Sequence, residues 1–431
     1  MPNKFDKEKI IIGHLFKYYY KNANLSINEI IAGNDEYLQT ICNTCSKCTN
    51  PERICSKNTL YRLFDGSIVT NECIYVRLAN KLKKEIILDR YDIYDKIARF
   101  QKILYDNLVD LNATNLEKLE SLITIEITKH KNILYVYEIL SLYLNIIKDK
   151  LYPGYSPEKE DIQTYIYLKD FVEETDKKLI LYYLYTGIVN RGNYGINYNE
   201  TYNECEKFVD DPLFYERKLD CIFYMDQLKA YNYLVKDELP KYKSLNLYQQ
   251  YCLFRKFQTI QVNNDSFNDA YNSIYKCYEI VQKSNFGLRI SFATYLRLGF
   301  VTYCLKKYNE SSDWLLKAFE VRNNLAKDFV MLFQSLEKIN DTKKIKDILN
   351  KTNITLSKAP YGKKVYQYYS LKYKKKSLAR SDISELEDFI CDILKPYFDI
   401  YGQIHKDAFN EDLKKYVKIT GNYKKYYDFN S

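Results

Sequence analysis

Helical periodicity without strand signals runs through most of this chain of 431 residues. From about residue 97 to the end, apolar residues recur every three or four positions, the spacing that puts them on one face of an α-helix. The whole chain has only 12 Gly and 8 Pro. Many of them fall between the periodic segments, as at Pro153, Gly154, Pro240 and Gly287. The sequence therefore predicts an all-α fold built from repeated helix pairs.

Two segments of this region repeat each other 41 residues apart, which indicates the type of repeat. The later segment follows the tetratricopeptide pattern at Tyr295, Leu298, Gly299, Tyr303, Tyr308, Ser311, Leu315 and Ala318. The earlier segment has Phe254, Phe257, Phe267, Ala270, Ile274 and Cys277 at matching positions, and Gln258 replaces Gly299. Small residues in this pattern let two paired helices approach closely. We therefore predict a tetratricopeptide-like α-solenoid over residues 91–431, the alternative being a helical array of another repeat type.

The first helix of each repeat should turn several side chains toward the concave side of such an array. Helical geometry places there Arg255 and Thr259 in the earlier repeat, and Leu296, Phe300 and Tyr303 in the later one. An arginine can pair with a carboxylate, and the aromatic rings can take apolar side chains. This mixture suits a short linear peptide. In the alternative interpretation, the aromatic residues pack against the next repeat and Arg255 is solvated.

Upstream of the array, residues 54–82 predict two short amphipathic helices joined by a turn. Ser56 is placed to cap the first helix, and Gly66 follows it as a stop signal. The two helices should share one core, with Leu60, Leu63 and Phe64 from the first and Cys73, Val76, Leu78 and Leu82 from the second. This pattern is typical of the second half of a helix-turn-helix DNA-binding domain. An ordinary amphipathic hairpin is the alternative.

The opposite face of the first of these helices is polar and basic. Lys57, Asn58 and Arg62 supply the cations and the amide that base edges in the major groove require. Ser56 and Tyr61 lie where they would approach phosphates. We therefore predict that these five residues contact DNA, and the formal net charge of +9 is compatible with that partner.

Together with two segments before it, this helix pair resembles the lambda-repressor-like (Xre) family. Residues 12–17 (IGHLFK) and 25–31 (LSINEII) are similar to the first two helices of that family. The recognition helix is matched by Ser56, Thr59, Leu60, Arg62, Leu63, Phe64 and Gly66. The resemblance implies a DNA-binding domain over residues 1–90. Tyr20 and Ile27 depart from the pattern, since the family usually has Arg and Gln there, and so does an insertion at about residues 34–54.

The insertion contains a cluster of cysteines, Cys42, Cys45, Cys48 and Cys55, spaced C-x2-C-x2-C-x6-C. Thiols at these spacings can converge on one ion, which predicts a closed, structural Zn²⁺ site. An iron–sulfur cluster also suits the spacing. The third interpretation is free cysteines, with Cys55 packed in the helix-turn-helix core. Cys73 is a reserve fourth ligand if Cys55 lies in that core.

In architecture, an Xre-type domain followed by a tetratricopeptide-like array resembles the Rgg/PlcR/NprR group of peptide-responsive transcription regulators. The resemblance implies a homodimer that binds double-stranded DNA and whose repeat domain binds a short signalling peptide, as in quorum sensing. Two alternatives stay open. One is a metal- or redox-sensing regulator that uses the cysteine cluster, and the other is a helical scaffold that binds a protein partner.

Sequence signals for catalysis and for membrane insertion are missing. The chain has no P-loop, no HExxH, no GxSxG and no GxGxxG sequence, so we predict that it is not an enzyme. The cysteines beyond the cluster sit in apolar helical contexts, which is typical of thiols in a reducing compartment. The N-terminus is charged, and the longest apolar run is too short to span a bilayer. We therefore expect a cytoplasmic protein without a membrane partner.

Overall fold

The computed structural model describes residues 4–33, 52–87, 91–153, 155, 157–191, 203–322, 329–352, 360–375 and 377–430. Within these ranges the protein is all-α, as predicted, with 22 α-helices and a few 3₁₀ and π segments. No regular strand occurs there, and the two isolated β-bridges join Ala32 to Arg53 and Glu85 to Ile133. None of the described helices is both long and apolar enough to cross a membrane.

Contacts between residues divide the chain into two compact units, Met1–Ala230 and Tyr231–Ser431. The predicted domain boundary after residue 90 falls inside the first unit. The helices of the first unit are α1 Lys4–Asn22, α2 Ile27–Ile31, α3 Lys57–Phe64, α4 Glu72–Lys81, α5 Tyr91–Val109, α6 Ala113–Lys129, α7 Val136–Leu151, α8 Lys159–Leu168, α9 Glu174–Arg191 and α10 Tyr215–Met225. The division falls within α11, Gln227–Tyr233.

The second unit continues with helices of similar length. They are α12 Leu247–Asn263, α13 Phe267–Lys283, α14 Leu288–Cys304, α15 Tyr308–Val321, α16 Phe329–Lys338, α17 Thr342–Lys351, α18 Pro360–Lys374, α19 Arg380–Asp388, α20 Phe398–Tyr401, α21 Gln403–Thr420 and α22 Tyr423–Asn430. A π segment, Phe389–Leu394, directly continues α19.

The apolar face of helix α1 is completely buried in the core of the N-terminal helices. Ile12, Leu15 and Phe16 on this face are inaccessible to solvent. Helix α2 begins with a capping box, in which Ser26 Oγ accepts from the Glu29 amide at 3.2 Å and Glu29 Oε2 accepts from the Ser26 amide at 2.6 Å. These caps satisfy amides that the short helix leaves unpaired.

The opposite side of α1 packs against helices that follow residue 90. The Tyr19 hydroxyl donates to Glu138 Oε1 of α7 at 2.6 Å. The Thr164 hydroxyl of α8 donates to the Tyr18 hydroxyl at 3.1 Å. The Tyr167 hydroxyl donates to the His14 carbonyl oxygen at 3.1 Å. These contacts explain why the N-terminal helices belong to the same compact unit as α7 and α8.

The two repeats predicted in the second unit are two helix pairs, α12 with α13 and α14 with α15. The first helices of the two pairs begin at Leu247 and Leu288, and the second helices begin at Phe267 and Tyr308. Both offsets are 41 residues, as the sequence predicts. The small residues of the pattern, Ala270, Cys277, Ser311 and Ala318, are all fully buried.

Gly299 explains why the later repeat needs a residue without a side chain. A Cβ atom at this position would lie 2.5 Å from Leu315 Cγ in α15. The Ser311 hydroxyl also donates to the Gly299 carbonyl oxygen at 2.9 Å, a direct link between α14 and α15. The small residues therefore permit the close helix approach that the sequence pattern predicts.

Candidate functional site

The insertion between α2 and α3 leaves the two helices adjacent to each other. The Gly33 amide donates to the Glu52 carbonyl oxygen at 2.8 Å, and the Ile54 amide donates to the Ile31 carbonyl oxygen at 2.8 Å. These two bonds join the chain just before the insertion to the chain just after it. Residues 34–51 lie outside the described residues. The two ends of the insertion therefore lie side by side, and α3 lies next to α2.

A buried arginine from α4 reaches the same point. Arg77 is 6 % exposed, and its Nη2 donates to the Gly33 carbonyl oxygen at 3.4 Å. On the other side, Arg53 Nε donates to the Cys55 carbonyl oxygen at 3.0 Å. The base of the insertion is thus held by side chains as well as by the backbone.

Helix α3 begins and ends as the sequence predicts. Ser56 is its N-cap, since Ser56 Oγ accepts from the Thr59 amide at 3.1 Å. The helix ends at Phe64, and Gly66 follows with φ +81°, a conformation that favours glycine. Its predicted core residues Leu60, Leu63 and Phe64 are buried. The predictions for the cap, the stop and the buried face of this helix are confirmed.

The five residues predicted to contact DNA lie together on the exposed side of α3. Ser56, Lys57, Asn58, Tyr61 and Arg62 are all exposed. Four of them follow the spacing i, i+1, i+4, i+5, which gathers their side chains on one face of a helix. The Tyr61 side chain is half exposed, an unusual position for so large a ring. Contact of this face with DNA stays a prediction.

Helix α4 faces the core with a different set of side chains from the predicted one. Leu78 and Leu82 are buried as expected, but Cys73 and Val76 are only half-buried. Tyr75 takes the central place and is fully buried, because its hydroxyl accepts a hydrogen bond from the Val69 amide at 3.1 Å. Because its hydroxyl has a hydrogen-bond partner nearby, Tyr75 can occupy a core position that the sequence pattern did not assign to it.

The predicted metal site is corrected by the structure. Cys42, Cys45 and Cys48 lie outside the described residues. No group of three or more His, Cys, Asp or Glu side chains that could hold a metal ion occurs in the part of the chain that is described. Cys55 is buried beside the start of α3, and burial raises the pKa of its thiol to about 11.

Cys55 is thus packed as a core residue, and the described part of the chain holds no group of side chains that could complete a metal site with it. The predicted cofactor, Zn²⁺ or an iron–sulfur cluster at the four cysteines, is therefore wrong on the described residues. Cys73, the reserve ligand, is half-buried on α4. The packing of Cys55 follows the interpretation that placed it in the core.

A second candidate site is a groove between α12 and α14, the first helices of the two repeats. Its cavity volume is about 330 Å³, and it is lined by Gln258, Thr259, Val262 and Asn263 from α12 and by Ala293, Leu296, Arg297 and Phe300 from α14. Three of the five residues predicted to bind a peptide, Thr259, Leu296 and Phe300, line this groove. Arg255 and Tyr303 do not.

Arg297 is the polar centre of the groove and was not predicted. Its Nη1 donates to Gln258 Oε1 at 2.5 Å and to Thr259 Oγ1 at 3.2 Å, so α12 holds the guanidinium of α14 in place. The spacing of Ala293, Leu296, Arg297 and Phe300 is i, i+3, i+4, i+7, the signature of one helix face. That periodicity in the sequence was the signal that could have identified Arg297.

The aromatic residues of the prediction have mixed surroundings. Phe300 and Tyr303 both pack against the apolar core formed by the following helices. The Tyr303 ring meets the Tyr308 ring edge-on at 5.8 Å between centroids. Tyr303 therefore follows the alternative interpretation, in which the aromatic residue packs against its neighbours, whereas Phe300 both packs and lines the groove.

No family model matches the chain, and no curated protein matches it.

Proposed function

We propose that this protein is a DNA-binding transcription regulator that reads DNA with α3 and binds a short peptide effector in the groove between α12 and α14. The observation that carries the proposal is the closed base of the insertion. Because two backbone hydrogen bonds of 2.8 Å join its ends, α2 and α3 keep the adjacency that a helix-turn-helix requires.

The chemistry of α3 supports its role as the recognition helix. Its apolar face is buried, and Lys57, Asn58, Tyr61 and Arg62 on its outward face are exposed. Lys57 and Arg62 bring positive charge, Asn58 brings an amide that can pair with adenine, and Tyr61 brings a hydroxyl for a phosphate. A face of this composition is suited to the major groove.

The groove supports a peptide effector for a separate reason. Leu296, Phe300 and Val262 offer apolar surface, and Arg297 alone among the described lining residues carries a charge. A peptide with an apolar side chain and a carboxylate, either its C-terminus or an acidic residue, would match both features. For the peptide to regulate DNA binding, it must bind one conformation of the protein more tightly than another.

A homodimer is part of the proposal. One recognition helix of eight residues contacts only a few base pairs, and a two-fold pair of such helices doubles the contacts on a palindromic site. Light scattering on the full chain should give twice the chain mass of 51.6 kDa without DNA, and two chains plus one duplex with DNA. A mass of one chain without DNA, and of one chain plus one duplex with DNA, would contradict the dimer.

The test of DNA binding uses a duplex that the wild-type protein selects from a randomised library of about 30 bp, long enough for two half-sites. The variant Lys57→Ala/Asn58→Ala/Arg62→Ala should lose affinity for this duplex by at least about tenfold, since each base contact contributes about 1–3 kcal/mol. Selection that enriches no sequence, or unchanged affinity of the variant, would contradict the proposal and favour a helical scaffold without DNA.

A charge-matched control separates sequence reading from general attraction to DNA. Arg99→Ala/Lys118→Ala also removes two positive charges, from exposed positions on α5 and α6. This control should keep its preference for the selected duplex over a scrambled one, because exposed charges outside α3 add only salt-dependent attraction. Equal losses in the two variants would show that α3 is not the reading surface.

A further inference from the structure

A cleft in the first unit, unrelated to α3 and to the groove, contains an unusual set of polar groups. It has a cavity volume of about 60 Å³ and lies where α1, α5, α9 and the residue before α7 meet. The carboxyl groups of Glu8, Glu173 and Asp176 line it against one ammonium, that of Lys7. Lys7 and Glu173 pair with each other at 2.9 Å at the exposed edge. The inner part of the cleft is therefore acidic.

Asp176 is held in a fixed orientation inside this cleft. The Gln101 amide donates to its Oδ1 at 2.7 Å, and the Tyr143 hydroxyl donates to the same oxygen at 2.6 Å. No described residue donates to Oδ2, although Asp176 is only 2 % exposed. One oxygen of the carboxylate thus serves the fold, and the other is left for an occupant of the cleft.

A second group in the cleft also lacks a partner. The Tyr94 side chain is 6 % exposed, and its hydroxyl makes no hydrogen bond with any described residue. Burial and the negative charge of Glu8 raise the pKa of this phenol, so Glu8 lies close to it. A buried hydroxyl without a partner is costly, and native proteins keep one mainly where something else fills the site.

Aromatic rings form one wall of the cleft. The Tyr94 and Tyr135 rings stack with centroids 6.4 Å apart. Tyr135 has φ +69° and ψ −49°, a backbone conformation that a residue with a side chain rarely adopts. Strained residues of this kind persist where the surroundings hold them, and they concentrate at binding sites.

We propose that this cleft binds a small protonated primary amine. An ammonium group has three N–H donors and no acceptor. Asp176 Oδ2 and the Tyr94 hydroxyl oxygen offer two acceptors, the carboxylate of Glu8 adds negative charge nearby, and the rings of Tyr94 and Tyr135 attract a cation. The occupant bridges α1 to α5 and α9, so it also stabilises the position of α1.

Calorimetric titration of the full chain with n-butylamine tests the proposal. Butylamine should bind with saturation, and n-butanol, which has the same chain without the charge, should not. Tetramethylammonium has the charge but no N–H donor, and it should bind at least about tenfold more weakly. Butanol or tetramethylammonium binding as tightly as butylamine would overturn the assignment.

Variants identify the site. Tyr94→Phe removes only the unpartnered hydroxyl, so the protein should fold with at least its original stability and bind butylamine about tenfold more weakly. Asp176→Asn should abolish binding. Glu174→Gln is the control, because it removes a carboxylate from the same helix at a side chain 74 % exposed and outside the cleft, and it should bind as the wild type does. Unchanged affinity in Tyr94→Phe would overturn the proposal even if Asp176→Asn does not fold.

Hydrogen exchange supplies a readout that does not depend on heats of binding. Saturating butylamine should slow amide exchange in α1, because the occupant joins α1 to two other helices. The effect should be absent in Tyr94→Phe at the same concentration of butylamine. Unchanged exchange in α1 of the wild-type protein would overturn the bridging geometry. This test requires neither DNA nor peptide, so it stands apart from the regulatory function.

Discussion

The imidazole ring of His14 stacks on the phenyl ring of Phe171, with centroids 3.7 Å apart and planes inclined by 18°. His14 lies on α1, and Phe171 lies between α8 and α9. The same imidazole also meets the end of α3, since a Cβ atom at Gly66 would lie 2.7 Å from His14 Nε2. One titratable side chain thus contacts both the end of the candidate recognition helix and the segment that follows α8.

This arrangement predicts a pH-dependent stability. Burial, together with the positive charge of Lys17, lowers the pKa of His14 below its ordinary value of 6.5. Between the lowered pKa and 6.5, the unfolded chain binds a proton that the folded protein does not. The contribution of His14 to stability is therefore complete above pH 6.5 and is lost as the pH falls through the folded pKa. Urea denaturation from pH 7.5 to 5 measures it.

The variant His14→Gln isolates this contribution, because carboxyl groups elsewhere also titrate at acidic pH. The difference in unfolding free energy between wild type and variant should favour the wild type more at pH 7.5 than at pH 5. A difference that is independent of pH would contradict the lowered pKa. A larger advantage of the wild type at pH 5 would mean that the folded protein prefers the imidazolium.

Gly299 gives a prediction about the helix pair α14 and α15. Gly299→Ala places a methyl group 2.5 Å from Leu315 Cγ, so it should cost about 1–3 kcal/mol of unfolding free energy through overpacking. Leu315→Val removes part of the obstacle. In a double-mutant cycle, Gly299→Ala should cost less in the Leu315→Val background than in the wild type. Additive costs would mean that the two residues do not meet.

The features that could be predicted from the sequence are those that depend on residues close together in the chain. Ser56, Gly66 and the 41-residue offset are local patterns, and local patterns fix helix caps, stops and repeats. Tyr75 replaced Val76 in the core because a hydrogen bond to the Val69 amide satisfied its hydroxyl. The spacing of apolar residues in a sequence does not predict such a hydrogen-bond partner.

Other buried tyrosines also depend on partners that the sequence pattern does not reveal. Tyr361, Tyr368 and Tyr369 are fully buried, although each carries a polar hydroxyl. The Tyr368 hydroxyl donates to Asp412 Oδ2 at 2.7 Å, across 44 positions of sequence. Pairings over such separations depend on how helices pack, and a single sequence does not encode them in a readable pattern.

The buried ion cluster around Lys372 is the strongest of these long-range pairings. Its Nζ lies 2.6 Å from Glu337 Oε1 and 2.5 Å from Asp412 Oδ2. Burial opposes the charge of Lys372, but the two carboxylates raise its pKa. Lys372→Met would leave Glu337 without its cation and Asp412 with only the exposed Lys415, so it should cost about 3–5 kcal/mol of unfolding free energy.

A neighbouring lysine is the matched control for this cluster. Lys415 lies 3.7 Å from Asp412 Oδ1 but is 68 % exposed. Lys415→Met should cost less than about 1 kcal/mol, because solvent screens an exposed ion pair. Urea denaturation of both variants at pH 7 compares them. Similar costs for the two lysines would contradict a stabilising role of burial in the cluster.

For the groove between α12 and α14, the structure and the sequence favour different arginines, and an experiment can decide between them. Arg255 was the arginine that helical geometry alone favoured, but Arg297 lines the groove. For a peptide selected by the wild-type protein from a library of short peptides with free carboxylates, Arg297→Ala should weaken binding by about tenfold, the value of a charge-assisted hydrogen bond. Arg255→Ala is the control, and it should leave the affinity within about twofold of the wild type.

Two further variants refine this experiment. Phe300→Ala should also weaken binding by about tenfold, because it removes an apolar wall of the groove. Arg297→Lys keeps the charge but cannot donate in the fork that holds Gln258 and Thr259, so it should restore only part of the affinity. Fluorescence anisotropy of the labelled peptide measures all four variants. Loss of binding in Arg255→Ala with full binding in Arg297→Ala would place the peptide outside this groove.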